Sequence, residues 1–592
     1  MDQTTGGSGI SVTQPFLLAG GKIRQLANHF MANGFDWPLI AASAGLGVLV
    51  GLAVAVLEYV TIEVVLHHTL ELPIYMLAAA PMFGLAISHL LLSTIGGGAS
   101  SATSEEYVTQ FHERRPHFPA RHMPARLLAG ISTIGLGGAV GLEGPSIYLG
   151  SGFGYWIHRS LERYLGRGAA QQLLTAGAAA GVAAIFQAPA TGVVFALESP
   201  YRDDVAHRAL LPSLVASAAS FVAFVTVPFV PHGMALQGAN DPLLGTGGAV
   251  GTGELVGALA LGLGAGLGGR TFAWLIRQAK RMAGRVSRPI EVIGGGIVLG
   301  ALVLISNSLF DEPLTYGPGQ DVFSWLDRNE STLSLVAVLF VLRAMATLTT
   351  IGTGGVGGLF IPLAVQGVLL GHLVGNGLEN LGLSPASDGR IWEILGLAAF
   401  LAAGYRTPIA AVMFVAESTR GSAVIPALIA AAVSQLVAGS SSVSAAQRTE
   451  RLGGLESRLA LPISAALSTN VLTVPHDATI SDFVWFHALG QRTPIVPVVE
   501  GNTFLGMCNI HDAAEVDRDE WEDTSVMQIL DTQVTIGETG WSIRDAVAAM
   551  GRDRSDLLVV VDDSGGFIGT VSDSEIVKLH EILAETSPND NE

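Results

Sequence analysis

The chain has 592 residues, of which 49% are hydrophobic and only 14% are charged, and its mean hydropathy is +0.48. These values exclude a set of ordinary soluble domains, which carry about 25% charged residues. Its formal net charge is −19, and its single cysteine, Cys508, excludes an intrachain disulfide framework.

The first 36 residues are polar, and no positively charged start leads into a short apolar core, so no cleavable signal peptide is predicted. Apolar runs of about the 20 residues that cross a bilayer follow, and they predict a polytopic α-helical membrane domain over 37–448. Several runs are broken by Gly or Pro, which is tolerated where the loosened backbone is buried in protein or lines a wet cavity. The runs lie at 37–57, 72–92, 125–157, 171–198, 208–230, 247–276, 289–309, 332–349, 358–375, 391–417 and 423–439.

Glu143 lies in a glycine-rich apolar stretch, GLEGPSIYLG at 141–150, and Pro145 follows it closely. The sequence from 132 to 154 contains no Lys or Arg that could pair with this carboxylate. A helix start explains the pattern by itself, because acidic residues and Pro are favoured in first turns. The alternative is that the free amides of this turn bind another anion, with which Glu143 competes.

The membrane part repeats itself in two halves of about 37–230 and 247–440. Matching glycine-broken segments are typical of repeat transporters, whose site lies near the midplane where half-helix N-termini meet. Two such helix starts favour a desolvated anion, whereas a metal cation would need oxygen ligands. The aligned pairs are TIGLGGAVGLEGP (133–145) with TIGTGGVGGLFIP (350–362), and GAAAGVAAIFQAPATGVVFALES (177–199) with GLAAFLAAGYRTPIAAVMFVAES (396–418).

The last 130 residues differ in character, with 23 Asp and Glu against 6 Lys and Arg over 463–592. This acidic segment, after a linker at 449–462, predicts a water-exposed region and argues against nucleic acid as a partner. It also repeats: the units 463–520 and 524–592 each read as a short strand, a helix, two β-rich runs around a Gly turn, and a second helix.

These residues resemble the CLC family of chloride channels and proton-coupled chloride exchangers, whose three best-known pore motifs are GSGIP, GREGP and GxFxP. GLEGP at 141–145 and GLFIP at 358–362 match the second and third motifs. The acidic tail resembles a tandem of CBS domains. The resemblance therefore implies an all-α polytopic membrane domain with an inverted internal repeat, followed by an α+β cytoplasmic tandem CBS domain. It also implies a homodimer with one pore per subunit, in the lipid of a bacterial or archaeal plasma membrane.

The resemblance implies that Glu143 is a gating glutamate: its charged carboxylate occupies the outer anion site and leaves when it is protonated or displaced. The transported ion would be chloride, and no cofactor, metal or catalytic residue is required. The backbone amides expected to face the anion are those of Leu142, Glu143, Gly144, Leu359, Phe360 and Ile361.

Two departures from the family concern the central anion site. GSGIP is replaced by GGGAS at 96–100, so that Gly97 takes the place of the serine. The central tyrosine is replaced by Ser444, or by Val443 if the alignment slips by one. Losing both side chains is expected to weaken central binding. Ser100, Ser101 or Ser444 could supply a substitute hydroxyl, although a helix-capping role is the favoured explanation of these serines.

A third departure concerns protons. Exchangers of the family usually carry two consecutive glutamates where this chain has Glu198 and Ser199, so the second carboxylate, which would pass protons, is lost. Glu198 has a counterpart in Glu417 of the second repeat. Its expected role is structural, satisfying helix ends within each repeat.

The CBS-like units retain part of a nucleotide-binding pattern. Asp512 matches the ribose-contacting acid of the first unit, whereas the second unit offers Glu575, with Asp573 as an offset candidate. Ser572 retains the hydroxyl that the first unit has lost to Asn509. An adenine nucleotide is one hypothesis for these positions, and a dimerising, stabilising tail is the other.

Three functions compete. Ser199 and the missing central side chains favour a gated chloride channel, which is the main prediction. Glu143 and the short chain favour a proton-coupled exchanger instead. A CBS-regulated cation transporter is the remote alternative, because it would need carboxylates clustered in the membrane part, where Glu143, Glu198 and Glu417 are among the few.

Overall fold

The computed structural model describes residues 36–586, except 114, 166–167, 230–251, 329–331, 381, 383–389, 420, 422, 450–458, 491–492 and 554. The predicted polar segment 1–36, except residue 36, and most of the linker 449–462 therefore lie outside the described residues. The chain divides into two compact units, Met1–Glu450 and Arg451–Glu592.

The described residues of the first unit form helices that are joined by loops, with isolated β-bridges at Gly141–Gly358 and Tyr201–Arg448. Its first helix contains a π-helical segment, Tyr59–Leu66, and a short 3-10 turn, His207–Ala209, precedes the helix that begins at Leu210. The helices are α1 Trp37–Leu70, α2 Ile74–Thr94, α3 Ser104–His112, α4 His122–Gly135, α5 Glu143–Leu161, α6 Ala169–Phe186, α7 Pro189–Glu198, α8 Leu210–Val225, α9 Thr252–Met282, α10 Arg288–Phe310, α11 Asp321–Leu326, α12 Leu333–Gly352, α13 Phe360–Asn380, α14 Arg390–Tyr405, α15 Pro408–Ser418 and α16 Val424–Ala438.

Eight helices in the described part of the chain are long and apolar enough to cross a membrane. Three of the four predicted runs that exceed one span are each cut in two, whereas 247–276 falls on the single helix α9 in its described part. The run 125–157 breaks between α4 and α5, 171–198 between α6 and α7, and 391–417 between α14 and α15. These breaks bring helix ends into the protein interior, as expected where the backbone is shielded from lipid.

Glycine allows the central helices to approach closely. A Cβ atom at Gly150 of α5 would collide with the Gly177 carbonyl of α6, and one at Gly181 with the Ser146 carbonyl. The second repeat uses the same device, because a Cβ atom at Gly396 of α14 would collide with the Gly367 carbonyl of α13. Small residues in this pattern let membrane helices pack backbone against backbone. They hold α5 and α13 rigidly, and both helices begin at the candidate site.

The second unit is an α+β domain, which confirms the predicted fold class. A helical turn at Ile480–Asp482 continues as the π-helical segment Phe483–Leu489. The strands are β1 Val474–Pro475, β2 Ile495–Glu500, β3 Thr503–Asn509, β4 Leu530–Asp531, β5 Ile536–Glu538, β6 Leu557–Val561 and β7 Phe567–Ser572. Its further helices are α17 Ile510–Ala513, α18 Ile543–Asp553 and α19 Asp573–Thr586.

The two sheets of this unit share one plan. In the order β1-β2-β3-β4, β2 is parallel to β1 and forms a hairpin with β3, and in β5-β6-β7 the strand β6 is parallel to β5 and forms a hairpin with β7. The hairpin turns meet, with the Phe504 and Phe567 rings stacked 6.2 Å apart. Cys508 lies buried in β3, where burial raises the pKa of its thiol to about 12, so this thiol stays protonated at neutral pH.

Candidate anion site

The two repeats meet at one pair of glycines immediately before the candidate helix starts. The Gly141 amide donates to the Gly358 carbonyl at 3.0 Å, and the Gly358 amide donates back to the Gly141 carbonyl at 2.7 Å. This isolated antiparallel bridge joins the GLEGP and GLFIP segments directly. The N-termini of α5 and α13 are thereby held next to each other.

Glu143 reaches across this junction. Its Oε1 accepts a hydrogen bond of 2.6 Å from the Phe360 amide at the start of α13, and the Ile361 amide also faces the carboxylate. The Glu143 residue is 1% exposed. A carboxylate of the first repeat therefore occupies amides of the second repeat, at the positive end of its helix dipole.

Three glycines leave the space that this arrangement needs. A Cβ atom at Gly141 or at Gly358 would collide with the Glu143 carboxylate. One at Gly144 would lie 2.9 Å from the Gly358 nitrogen. The glycines of the two motifs thus shape the pocket that the carboxylate fills.

The sequence prediction missed Tyr405. Its hydroxyl oxygen accepts a hydrogen bond of 3.3 Å from the Leu359 amide, one of the amides expected to face the anion. The residue is 4% exposed and ends α14. The repeat alignment contained the signal that could have found it, because Tyr405 stands opposite Phe186, and each is followed by a residue with positive φ, Arg406 at 58° and Gln187 at 52°. Both side chains therefore point from equivalent helix ends toward the junction.

The structure places Gly97 and Ser100 in other surroundings. The nearest atoms to a side chain at Gly97 would all belong to Arg121. The Ser100 hydroxyl accepts a 2.8 Å bond from the buried Arg126. These contacts do not involve the amides of α5 or α13, so they do not support Gly97 and Ser100 as central-site positions. Their motif match was poor, and nothing else in the sequence anchored the alignment there.

Thr103 and Ser444 lie closer to the site. The Thr103 hydroxyl donates to the Gly357 carbonyl at 3.5 Å, just before α13. Ser444 is buried in a loop whose Val443 amide bonds to the Gly404 carbonyl at 2.9 Å, next to Tyr405. The Ser444 hydroxyl has no hydrogen-bond partner among the described residues. Of the predicted central-site hydroxyls, Ser444 is the one that the fold brings near Tyr405.

A family model decides the identity. The model described as voltage gated chloride channel matches residues 84–439, which is more than half of the chain, and a CBS-domain model matches residues 526–581. The chain belongs to the CLC family. This confirms the resemblance stated from the pore motifs and the tail. Transport of chloride is the activity of this family, so the chain is a CLC-type anion transport protein of the membrane.

Relatives and solved structures agree with this assignment. The H(+)/Cl(-) exchange transporter ClcA of Klebsiella pneumoniae (strain 342) is 25% identical over 342 residues, which cover 56% of this chain and 69% of that protein. A slow cyanobacterial Cl-/H+ antiporter superposes with a TM-score of 0.59 at 20% identity, over 68% of this chain and 94% of that one. A eukaryotic CLC transporter covers 91% of this chain and 97% of its own at 16% identity, with a TM-score of 0.55. These structural likenesses show the CLC fold.

The two glutamates at the ends of α7 and α15 cap each other's helices in this CLC structure. Glu198 accepts from the Ile409 and Ala410 amides at 3.1 and 2.7 Å, at the start of α15. Glu417 accepts from the Ala190 and Thr191 amides, both at 2.8 Å, at the start of α7. Both glutamates thus satisfy helix ends, which is the predicted structural role. The prediction placed these contacts within each repeat, whereas each carboxylate in fact binds a helix end of the other repeat. Ser199 is buried beside Glu198.

Glu417→Ala is expected to destabilise the protein by about 1–3 kcal/mol, because two amides buried at the α7 start lose their acceptor. Glu417→Gln should lose less, since it keeps one acceptor oxygen. The midpoint of thermal unfolding in detergent measures the effect, with Glu379→Ala as a control on an exposed glutamate of α13. Equal midpoints for the Glu417→Ala and Glu379→Ala proteins would show that the caps do not stabilise the fold.

Two of the four predicted nucleotide residues of the CBS region, Ser572 and Glu575, form a helix cap, and the other two lie within capped helices. Ser572 and Glu575 bond to each other's backbone and side chains at the start of α19, as in a capping box. The Asn509 side chain accepts from the His511 amide at 3.0 Å and caps α17, which contains Asp512. Asp573 is the first residue of α19. These contacts are those of a stabilising fold, and nucleotide binding stays a prediction.

Proposed function

We propose that the protein exchanges chloride for protons across the membrane, with Glu143 as the group for which both compete. The observation that carries the proposal is the 2.6 Å bond between the Glu143 carboxylate and the Phe360 amide. Charged Glu143 satisfies an amide that a chloride ion would need, whereas protonated Glu143 is a much weaker ligand for it. Binding of a proton and binding of chloride are therefore linked through one side chain.

The names of the relatives support a proton-coupled exchanger better than a gated chloride channel, which was the main prediction from the sequence. The curated relatives of Klebsiella pneumoniae and Salmonella arizonae, each 25% identical, are both named as H(+)/Cl(-) exchange transporters. Each alignment covers 69% of the relative's length. The exchanger is accordingly the function proposed for this chain.

A gated channel is the second candidate, and Ser199 is the observation that favours it. A serine hydroxyl does not ionise near neutral pH, so it cannot take up a proton as a carboxylate would. Protons would then need to reach Glu143 through water or through other hydroxyl groups. Without such a path, chloride would pass uncoupled.

A reversal-potential measurement on the full chain in liposomes separates the two candidates. With chloride and pH gradients imposed separately, exchange predicts a reversal potential that shifts with both gradients at a constant stoichiometry. In uncoupled conduction, the potential would follow chloride and ignore the pH gradient, which would overturn the exchanger. Protein-free liposomes measure the leak.

Three assignments accompany this proposal. The protein forms a homodimer with one complete pore per subunit, since both amide sets of the site come from one chain. It resides in a bacterial plasma membrane, as its bacterial relatives suggest, with the CBS region in the cytoplasm. Light scattering of the detergent-purified protein tests the dimer: a protein mass equal to one chain would refute it.

A further inference from the structure

Two consecutive amides at the start of α13 already have ligands from the protein itself. The Phe360 amide donates to the Glu143 side chain, an ionisable group, at 2.6 Å. The Leu359 amide donates to the neutral Tyr405 hydroxyl at 3.3 Å. Each amide has a single hydrogen to donate, so an anion that binds at this helix start must compete with both side chains.

We propose that Tyr405 is a second internal ligand of the anion site, and that it sets chloride affinity by occupying the Leu359 amide. This inference rests on the anion transport proposed above, and it adds a residue whose competition does not depend on charge. A hydrogen bond from an amide to an anion is about twice as strong as one to a neutral hydroxyl. Chloride therefore displaces the neutral Tyr405 hydroxyl at a modest cost in free energy. Displacing the Glu143 carboxylate costs more, because that ligand carries the same charge as chloride.

The protein holds the tyrosine in place from several sides. Its ring packs edge-on against Phe195 at 5.4 Å, and its backbone carbonyl accepts a 3.0 Å bond from the Gln447 side-chain amide. Ser104, at the start of α3, also faces this hydroxyl. Ser104 is therefore an alternative partner for the hydroxyl once it leaves the Leu359 amide.

The first repeat has no such ligand, which makes the site asymmetric. Phe186 stands opposite Tyr405 in the repeat alignment and carries no hydroxyl. Its ring instead packs on Phe360, with the centroids 4.3 Å apart. Packing at this position therefore needs only an aromatic ring, as Phe186 shows in the first repeat. The hydroxyl of Tyr405 is an additional feature of the second repeat.

The test compares chloride affinity in the full-length protein and in Tyr405→Phe, by titration calorimetry in detergent. Phenylalanine keeps the ring but leaves the Leu359 amide without its internal acceptor, so chloride should bind about 3- to 10-fold more tightly. The same ratio is expected in a Glu143→Gln background and at both pH 5 and pH 8, because a neutral hydroxyl does not titrate there.

Tyr107→Phe is the matched control. Tyr107 is an equally buried tyrosine, but its hydroxyl donates to the Ala196 carbonyl at 2.7 Å, and its loss should leave the affinity within twofold. Tyr405→Met also lacks the hydroxyl and replaces Tyr405→Phe if the latter does not give a monodisperse protein.

Two results would overturn the inference. Weaker chloride binding in Tyr405→Phe would mean that the hydroxyl donates to the anion, and an affinity unchanged within twofold would mean that it does not touch the anion's site. The outcome is separable from that of the proposed function. If the reversal potential ignores the pH gradient while Tyr405→Phe still tightens binding, the exchanger is wrong and the role of Tyr405 stands.

Discussion

Glu143→Gln is expected to abolish proton movement coupled to chloride and the pH dependence of transport, while chloride passage continues or becomes faster. The neutral amide side chain cannot carry the proton, and it competes poorly with chloride for the Phe360 amide. Chloride efflux and proton uptake, recorded together from liposomes between pH 4.5 and pH 7.5, measure the effect. In the wild type, chloride flux should rise as pH falls, because protonation releases the carboxylate from the site.

The matched control for this experiment is Glu379→Gln, which changes an exposed glutamate of α13. It should leave both fluxes as they are in the wild type. Glu143→Ala extends the test, since it removes the side chain altogether. If chloride flux stops in Glu143→Ala, the residue builds the pore and does not gate it.

Gly358→Ala is expected to reduce chloride flux by about tenfold or more. A Cβ atom there would lie 2.6 Å from the Gly144 nitrogen and would collide with the Glu143 carboxylate. The Gly144 contact is with backbone, so the two helix starts must separate, and overpacking of this kind costs about 1–3 kcal/mol. The Gly141–Gly358 bridge would open, and the amides of the two repeats would no longer converge. Chloride efflux from liposomes at equal protein content is the measurement.

Gly377→Ala provides the control, because a Cβ atom at that position of α13 meets nothing within 4 Å. It should keep full flux and gain slightly in helix stability. The double variant Glu143→Ala, Gly358→Ala tells which collision matters. We expect its flux to stay low, because the collision with the Gly144 backbone remains. Flux equal to that of Glu143→Ala would instead show that the collision with the Glu143 side chain alone is responsible.

The sequence predicted the positions of the helix starts well because their cause is local. Glycine and proline break an apolar run at a definite residue, and the break lies where the backbone must be shielded from lipid. GLEGP and GLFIP thus predicted that α5 and α13 would begin near Glu143 and Phe360. The order of strands and helices in the CBS region followed in the same way from alternating runs and glycine turns.

The side chains that complete the site were not predicted, because they come from distant segments. Tyr405 lies 46 residues from Leu359 along the chain, and no local pattern connects them. Glu58, which is 2% exposed within α1, was likewise missed as a membrane carboxylate. The weakest of the three motifs assigned the central-site serine position to Gly97, and the nearest atoms to a side chain there would belong to Arg121. Burial and long-range contacts decide these roles, and a single sequence does not contain them.

The exchanged caps of α7 and α15 also constrain the order of folding. The Ala190 amide is synthesised 227 residues before Glu417, whose carboxylate is its hydrogen-bond acceptor. Until then, the first half inserts into the bilayer with an unsatisfied helix start, a costly state in lipid, where water cannot replace the missing acceptor. The first half should therefore remain protease-sensitive near 188–191 during translation and become protected only after the second half arrives. When the two halves are expressed as separate chains, we expect them to fold stably together and neither to fold stably alone. A first half that is stable and protease-resistant by itself would contradict this order of folding.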